Sequence, residues 1–303
     1  MCGAKRGVLR GDGFCGAGTV PVISRAAPHM WEEPVISGSR GSGTVFFSGC
    51  SLGCAFCQNA SISSELRGRA VTPEGLADIM RELESQGAHN ISFVTGTHYA
   101  AAIIRALEIY RPSVPTVWNS GGYERIDTLR ALSPYIDIWL PDYKYALPAV
   151  ARKYSRAPDY PEVAMKAIQF MCECAGGSVI EDGLMKQGVI VRHLVLPGNV
   201  RNSVAALRKI SSHLPRGTLV SVMSQYTPAG QIAAFPELGR RITAAEYEKV
   251  LDTVDTLGIT GFRQELSSAA EEYVPAFDLR IPDDHELYFY NEYAYFSIHG
   301  GIL

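Results

Sequence analysis

The 303-residue chain has no stretch approaching the roughly 18 to 20 consecutive apolar residues that cross a bilayer. Its first residues also lack the apolar core of a signal peptide, so we expect a cytoplasmic protein with no membrane partner. A charge excess is missing too. The 28 Lys and Arg stand against 31 Asp and Glu, a formal charge of −3, and no basic surplus points to nucleic acid. Internal repeats and low-complexity tracts are absent. The seven cysteines are odd in number and do not form a disulfide framework, which fits a reducing compartment. With 47% hydrophobic and 19% charged residues, the chain can bury the core of one large α/β domain.

The most informative run is Gly49-Cys50-Ser51-Leu52-Gly53-Cys54-Ala55-Phe56-Cys57-Gln58-Asn59. Structural zinc sites bring their cysteines as separated pairs, and no second ligand pair follows Cys57 at such a distance. Three thiolates at this spacing suit a four-iron cluster, which ordinarily takes four, and leave one iron without a protein ligand. Catalytic metal sites withhold a ligand in the same way so that a small molecule can bind. The alternative is three buried thiols at coincidental spacing.

Apolar, β-branched runs alternate with helical periodicity along most of the chain. Strands are expected at 44–48, which ends at the cysteine loop, and at 90–95, 115–119, 136–140, 188–194 and 218–223. Helices are expected near 99–110, 123–132, 162–174, 203–213 and 244–257. Another starts with Thr72 as N-cap and Pro73 as first helical residue, carries Leu76, Ile79, Met80 and Leu83 on one face, and stops at Gly87. This alternation predicts a parallel sheet, and six such units make three quarters of a (β/α)8 barrel with its site on the loops after the strands. Polar residues do gather at those ends: Thr95-Gly96-Thr97-His98, Asn119-Ser120, Asp142-Tyr143-Lys144 and Ser224-Gln225-Tyr226, with Arg192 inside the fifth strand.

The cysteine loop, with the aromatic Phe56 before its third cysteine, resembles the signature of the radical S-adenosylmethionine (radical SAM) superfamily. The resemblance implies a partial (β/α)6 barrel of the TIM type and a [4Fe-4S] cluster held by Cys50, Cys54 and Cys57. SAM would chelate the open iron and be cleaved reductively to methionine and a 5′-deoxyadenosyl radical. It also implies reduced flavodoxin or ferredoxin as electron donor. Phe56 is expected as a wall against the adenine or as a core aromatic beside the cluster. The Thr95-Gly96-Thr97 turn would let backbone approach the methionine moiety, and Asn119 is placed on the same rim.

Within the superfamily, the chain is similar to the pyruvate formate-lyase activating enzymes and their less characterised relatives. The similarity rests on Trp31-Glu32-Glu33-Pro34, residues 41–47, the cysteine loop, Val94-Thr95-Gly96-Thr97-His98-Tyr99, Asp142-Tyr143-Lys144, Arg192 with the turn up to Gly198, and Met223-Ser224-Gln225-Tyr226. It implies SAM contacts for Asp142, Lys144 and Arg192. Taken alone, Asp142 and Lys144 have the solvated ion pair as their alternative reading, whereas an arginine inside an apolar strand needs a partner. His98 caps a helix or serves the site. The activating enzymes carry a Gly-Gly-Glu-like turn where this chain has Thr95-Gly96-Thr97, which puts the substrate in doubt more than the cofactor. The expected activity is abstraction of an α-hydrogen from a glycine of a partner protein. The alternatives are a small-molecule or peptide substrate, or an iron–sulfur electron carrier or redox sensor without SAM chemistry. No residue identifies the hydrogen donor; Gln225, Tyr226, Gln264 and Tyr273 are candidates by position.

Residues 1–43 are expected as an N-terminal extension, 44–266 as the barrel and 267–303 as a C-terminal extension. The relatives start earlier with a Cys-x2-Cys-Pro-Arg-x-Cys element. We therefore expect the true start to lie upstream, with Cys2 and Cys15 as half of a four-cysteine metal site; the alternative is two free thiols. Cys172 and Cys174 should face apart on their helix. Residues 176–188 read as a long surface loop, and the aromatic run 286–298 as an added hairpin, a partner-binding element or disorder.

Overall fold

In the computed structural model the described residues are 10–266, Phe277 and the backbone of 296–297. The chain opens with strand β1 (Val22–His29), the short helix α1 (Pro34–Ser37), β2 (Ser42–Phe47), α2 (Ala60–Ser63) and β3 (Arg69–Ala70). Then follow α3 (Pro73–Ser85), β4 (Ile91–Val94), α4 (Ala100–Ile109), β5 (Thr116–Ser120), α5 (Ile126–Leu132) and β6 (Ile138–Pro141). The second half comprises α6 (Pro148–Ser155), α7 (Tyr160–Ala175), β7 (Val179–Glu181), β8 (Leu184–Leu194), α8 (Val200–His213), β9 (Leu219–Met223), α9 (Ala244–Leu257), β10 (Gly261–Gln264) and β11 (Phe296–Ser297).

The sheet order is β11-β10-β9-β8-β6-β5-β4-β2-β1-β3, and β2 through β10 run parallel to their neighbours along this path. Six strand–helix units are present, a seventh parallel strand follows, and the sheet stays open. This is the partial barrel that the alternation predicts. Local chemistry sets the helix starts. The Thr72 hydroxyl accepts from Gly75 N–H at the head of α3, and Thr243 with Glu246 forms a reciprocal capping box on α9.

Side-chain alternation divides the core in two. Val45, Phe47, Phe93, Trp118, Trp139, Val191, Val220 and Val222 face outward and pack on helical residues such as Leu76, Ile103, Ile168 and Leu207. Val117, Ile138, Leu140, Ile190, Leu219 and Phe262 face inward and close around Val35 and Ile36 of α1. Thus α1 plugs the lumen at the N-terminal end of the strands, where the Asn90 side chain donates to the Ile36 carbonyl (2.7 Å).

Several segments differ from the expectation: α2, β3, α6 and β10 form where no element was expected, and two further segments change the reading. Residues 22–37 contribute a strand paired along β2 and the lumen plug; β1 carries Arg25 and Pro28, which blur its period-two signal. The expected loop at 176–188 is a hairpin, β7 on β8, whose turn residues Asp182 (φ 50°) and Gly183 (φ 77°) are both left-handed, the conformation of a tight two-residue hairpin turn. Cys172 is half-buried and Cys174 exposed. Of the aromatic tail, only 296–297 is described, paired antiparallel with β10; the rest, like Cys2 and Tyr273, lies outside the described residues. No helix among the described residues is long and apolar enough to cross a membrane.

Candidate active site

The cysteine loop leaves the C-terminal end of β2 and is fastened from three sides. The Ala55 N–H donates to the Tyr154 carbonyl at the end of α6 (2.8 Å), and the Ala55 carbonyl accepts from Gln231 N–H (2.7 Å). The Gln58 side chain donates to the Gln225 carbonyl after β9 (3.3 Å). His98 Nε2 meets the Ser48 carbonyl at 2.7 Å, just before the loop, and its ring lies tilted against Tyr99 at 4.2 Å. Burial holds His98 neutral, with its pKa lowered to about 4. It therefore bolts the loop's approach rather than capping a helix with a charge.

The three sulfurs are free, and each accepts a donor from the protein. Leu52 N–H points at Cys50 (3.4 Å), the Ser155 hydroxyl at Cys54 (3.1 Å) and the Ser63 hydroxyl at Cys57 (3.5 Å). Burial pushes the Cys54 thiol up to about 12, partly offset by Lys144, and raises Cys57 as well. Phe56 is buried, with Tyr145, Tyr154 and Tyr226 edge-on at ring distances of 6.2–6.4 Å. Its faces and edges are taken up by this aromatic group, which supports the loop from below.

Beside the loop, inward-facing residues of adjacent strands converge. Arg192, two residues beyond Ile190 on the inner face of β8, donates through Nε to Asp142 Oδ1 (3.0 Å), through Nη1 to Glu32 Oε2 (3.0 Å) and through Nη2 to Asn119 Oδ1 (2.5 Å). Asn119 Nδ2 returns a bond to Glu32 Oε1 (2.9 Å), and Lys144 Nζ donates to Asp142 Oδ2. Burial alone raises the Asp142 carboxyl, but the Lys144 and Arg192 cations outweigh it and hold it below the ordinary carboxylate range. Asp142 and Lys144 are therefore a largely buried pair, not a solvated one, with side chains 15% and 19% exposed. The site also fixes their backbone. The Tyr160 hydroxyl sits 2.7 Å from the Asp142 carbonyl and accepts from Lys144 N–H (2.9 Å), while Asn202 accepts from Ala146 N–H (3.0 Å). Gly122 (φ 73°) passes so close that a Cβ would lie 2.4 Å from the Asp142 carbonyl oxygen.

The Thr95-Gly96-Thr97 turn stands on the same rim. Thr95 occupies the left-handed region (φ 59°), an uncommon place for a β-branched residue, and donates from its N–H to the Asn119 carbonyl (2.9 Å). At Gly96 a Cβ would meet Ile103 Cδ1 at 2.6 Å, so the glycine lets α4 pack. The Thr97 hydroxyl turns to buried Glu124 (2.8 Å), which also accepts from Trp118 Nε1 (2.9 Å) and the Ser120 hydroxyl (2.5 Å).

Residues 44–209, more than half of the chain, match the Radical SAM superfamily. The chain belongs to the radical SAM superfamily. An uncharacterized protein of Methanocaldococcus jannaschii is 27% identical over 236 residues, 75% of this chain and 65% of that protein, so the chain spans less than two thirds of that relative. Two solved structures share the fold. SuiB of Streptococcus suis, solved bound to S-adenosylmethionine, aligns with a TM-score of 0.52 at 13% identity, over 74% of this chain and 50% of SuiB. HydG, a maturase of the [FeFe]-hydrogenase, aligns with a TM-score of 0.50 at 14% identity, over 75% of this chain and 53% of HydG.

Membership brings a [4Fe-4S] cluster and SAM as the cofactors, and the residues present fit them. Three partly buried thiols that would repel one another as thiolates call for a cationic partner, and bound iron inverts the pKa logic that burial imposes on Cys54 and Cys57. Among the described residues no three Cys, His, Asp or Glu converge on a single ion. That is expected where each thiolate takes a different iron of a cluster.

Glu32 is the site residue that sequence reasoning missed. It lies in the Trp31-Glu32-Glu33-Pro34 run at the head of α1, and its contact with Arg192 spans 160 positions. Burial raises its carboxyl while Arg192 pulls it back. The signals in the sequence were a doubled acid before a proline and the similarity of the Trp31-Glu32-Glu33-Pro34 run to the activating enzymes, neither of which gave Glu32 a role.

Proposed function

We propose that this radical SAM protein is an enzyme that cleaves SAM reductively at a cluster held by Cys50, Cys54 and Cys57 and uses the resulting radical to take a hydrogen atom from a second molecule. The observation that carries the reading is the polar network of Asp142, Lys144, Arg192, Asn119 and Glu32 on the rim that carries the cysteine loop. An electron carrier or sensor has no use for such a pocket. When bound, the cluster and SAM supply the one-electron cleavage that yields methionine and the 5′-deoxyadenosyl radical.

The chain's own residues bind, orient and exclude water. Lys144 and the Asp142 carboxylate, the most open members of the network, present a donor and an acceptor to the carboxylate, ammonium and ribose groups of SAM. Arg192 has all three of its nitrogens engaged by protein acceptors, so it orients Asp142 and Asn119 and supplies positive potential rather than a free fork. Phe56 and its tyrosines keep the cluster's floor dry.

The hydrogen donor has two readings. Similarity to the activating enzymes supports a glycine Cα of a partner protein. A small molecule or peptide is favoured by one observation: Phe277, from beyond β10, meets Phe46 edge-on at 5.5 Å and packs with Val94 on the inner face of β2 and β4, so this chain itself covers part of the lumen beside the first strands.

Reconstitution under anaerobic conditions should load about four irons and four sulfides per chain, and dithionite with SAM should then release 5′-deoxyadenosine. Cys54→Ala should lose both the cluster absorbance and the product. A Cys54→Ala protein that cleaves SAM at the parent rate refutes the assignment.

A further inference from the structure

Glutamines link the cysteine loop to the last parallel strands. Gln58, next to Cys57, donates to the Gln225 carbonyl (3.3 Å) and reaches the Thr227 hydroxyl (3.5 Å), so the end of β9 is tied to the loop. Alternation puts Leu219, Ser221 and Met223 of β9, and Phe262 and Gln264 of β10, on the lumen face. Gln225 turns to the same side, because its side-chain amide touches both Gln264 and Met223.

The hydrogen bonds fix which way each amide points. Gln264 is 4% exposed, and one end of its amide accepts from the Ser224 N–H (2.9 Å) and the Gln225 N–H (3.1 Å), so that end is the oxygen. The other end is Nε2, which donates to the Gln225 side chain at 2.5 Å, and the atom it meets must be Gln225 Oε1. Gln225 Nε2 is left over as a donor. Among the described residues its one acceptor is the Met223 thioether at 3.9 Å, a weak one. Gln225 is half-buried rather than sealed. A buried amide anchored by backbone donors, whose free end orients a second amide, is a network that is complete only when the last donor is used.

Charge narrows what uses it. The inward-facing residues of β9 and β10 are uncharged, and the nearest cations of the site, Lys144 and Arg192, are matched by Asp142 and Glu32. A carboxylate placed against Gln225 would be desolvated without a cation of its own, whereas an uncharged carbonyl oxygen needs only the N–H.

We propose that Gln225 Nε2 donates a hydrogen bond to an uncharged, amide-type carbonyl oxygen of the molecule that loses the hydrogen atom, and that Gln264 is the positioning residue that holds Gln225 in this orientation. The proposal rests on the reading above that the radical takes a hydrogen atom from a second molecule. In that step the donor's C–H bond breaks homolytically, the hydrogen atom passes to the 5′ carbon, and the unpaired electron stays on the donor; Gln225 keeps its protons.

The test uses the reconstituted full chain with dithionite, SAM and, as probe, N-acetylglycinamide deuterated at its α-carbon. Mass spectrometry of the 5′-deoxyadenosine reads the deuterium passed on. Gln225→Met, of similar length but without the donor, should raise the KM for the probe about five- to tenfold, with the loss falling on KM more than on kcat. Gln264→Glu still accepts from the two backbone N–H groups, but as a carboxylate it draws Gln225 Nε2 toward itself, and at pH 8 the KM should rise by a similar factor although Gln225 is intact. SAM affinity, read by calorimetry, should stay within about twofold in both variants. The parent should use N-acetylglycinate, the charged analogue, at least about tenfold less well. A probe KM unchanged in Gln225→Met overturns the proposal, as does a loss of SAM affinity in its place, which would make SAM the acceptor. Equal use of the charged analogue overturns the uncharged class. A parent that makes 5′-deoxyadenosine but takes no deuterium from the amide overturns the proposal and leaves the enzymatic reading standing; a parent that makes no 5′-deoxyadenosine removes both.

Discussion

Asp142 and Glu124 are both buried carboxylates at the C-terminal ends of neighbouring parallel strands, and they have opposite character. Asp142 sits between two cations on the inner face, and its carboxyl is held below the ordinary range. Glu124 lies behind the strands, where Trp118 and Ser120 of the outer face and Thr97 donate to it, and burial without a cation raises its carboxyl. One is a carboxylate held between two cations; the other is a staple that ties the β4 and β5 ends together and whose carboxyl burial raises. Position at a strand end therefore does not by itself identify a site residue. The parity of the strand decides, since Asn119 and Arg192 fall on the lumen face and Trp118 and His193 do not.

The contrast is sharpest in SAM binding. Asp142→Asn removes the charge that neutralises Lys144 and Arg192 and one of the two oxygens that accept from them, and should weaken SAM affinity about 10- to 100-fold, the scale of a lost charge-assisted bond. Calorimetry on the reconstituted protein measures it, and an unchanged affinity would break the assignment of Asp142 to the site. Glu32→Gln keeps one acceptor for Asn119 or Arg192 but drops the charge, so the loss should be smaller, about tenfold. Spectra of the resting cluster should not change in this variant, which separates an effect on the network from collapse of the fold.

Acid and base sides of the stability curve should also divide between the two carboxylates. A depressed carboxyl contributes stability that is present above its unfolded value of 3.8 and is lost as pH falls through the lowered folded value. Asp142→Asn should therefore flatten the acid limb of a urea-midpoint profile. A raised carboxyl behaves oppositely: Glu124 adds stability below its unfolded value of 4.5, and the advantage is lost as pH rises through the raised folded value. Glu124→Gln should be at least as stable as the parent at pH 8 and show less decline between pH 5 and 8. An equal decline in the two proteins would mean that Glu124 is already ionised in the fold at pH 5. On SAM affinity this substitution should have the smallest effect of all, within about twofold.

What was legible in the sequence follows the range of the interactions. The cysteine loop, the Thr72 cap and the alternation of β2 through β9 are local patterns, and each strand or helix expected from them is found within a few residues. The rim groups Asn119, Asp142, Lys144 and Arg192 were visible because they interrupt apolar runs. That Arg192 is bound by three protein partners was not, because those partners lie 160, 73 and 50 positions away and reach it only once the barrel curls. For the same reason β1 and α1 were missed. An edge strand carrying Arg25 and Pro28 has little periodicity of its own, and a four-residue helix gains its stability from filling the lumen, not from propensity. The 182–183 turn was legible in principle, since Asp-Gly between apolar runs is a hairpin signal.

The most direct test of the central claim is the electron paramagnetic resonance spectrum of the reduced cluster, recorded as SAM is added to the parent, Asp142→Asn and Glu124→Gln proteins. Binding of SAM at the open iron beside an inward-facing Asp142 predicts that the signal shifts in the parent and in Glu124→Gln at similar SAM concentrations, and in Asp142→Asn only at concentrations at least about tenfold higher. A parent signal that ignores SAM, or a shift lost in Glu124→Gln and kept in Asp142→Asn, would contradict the account.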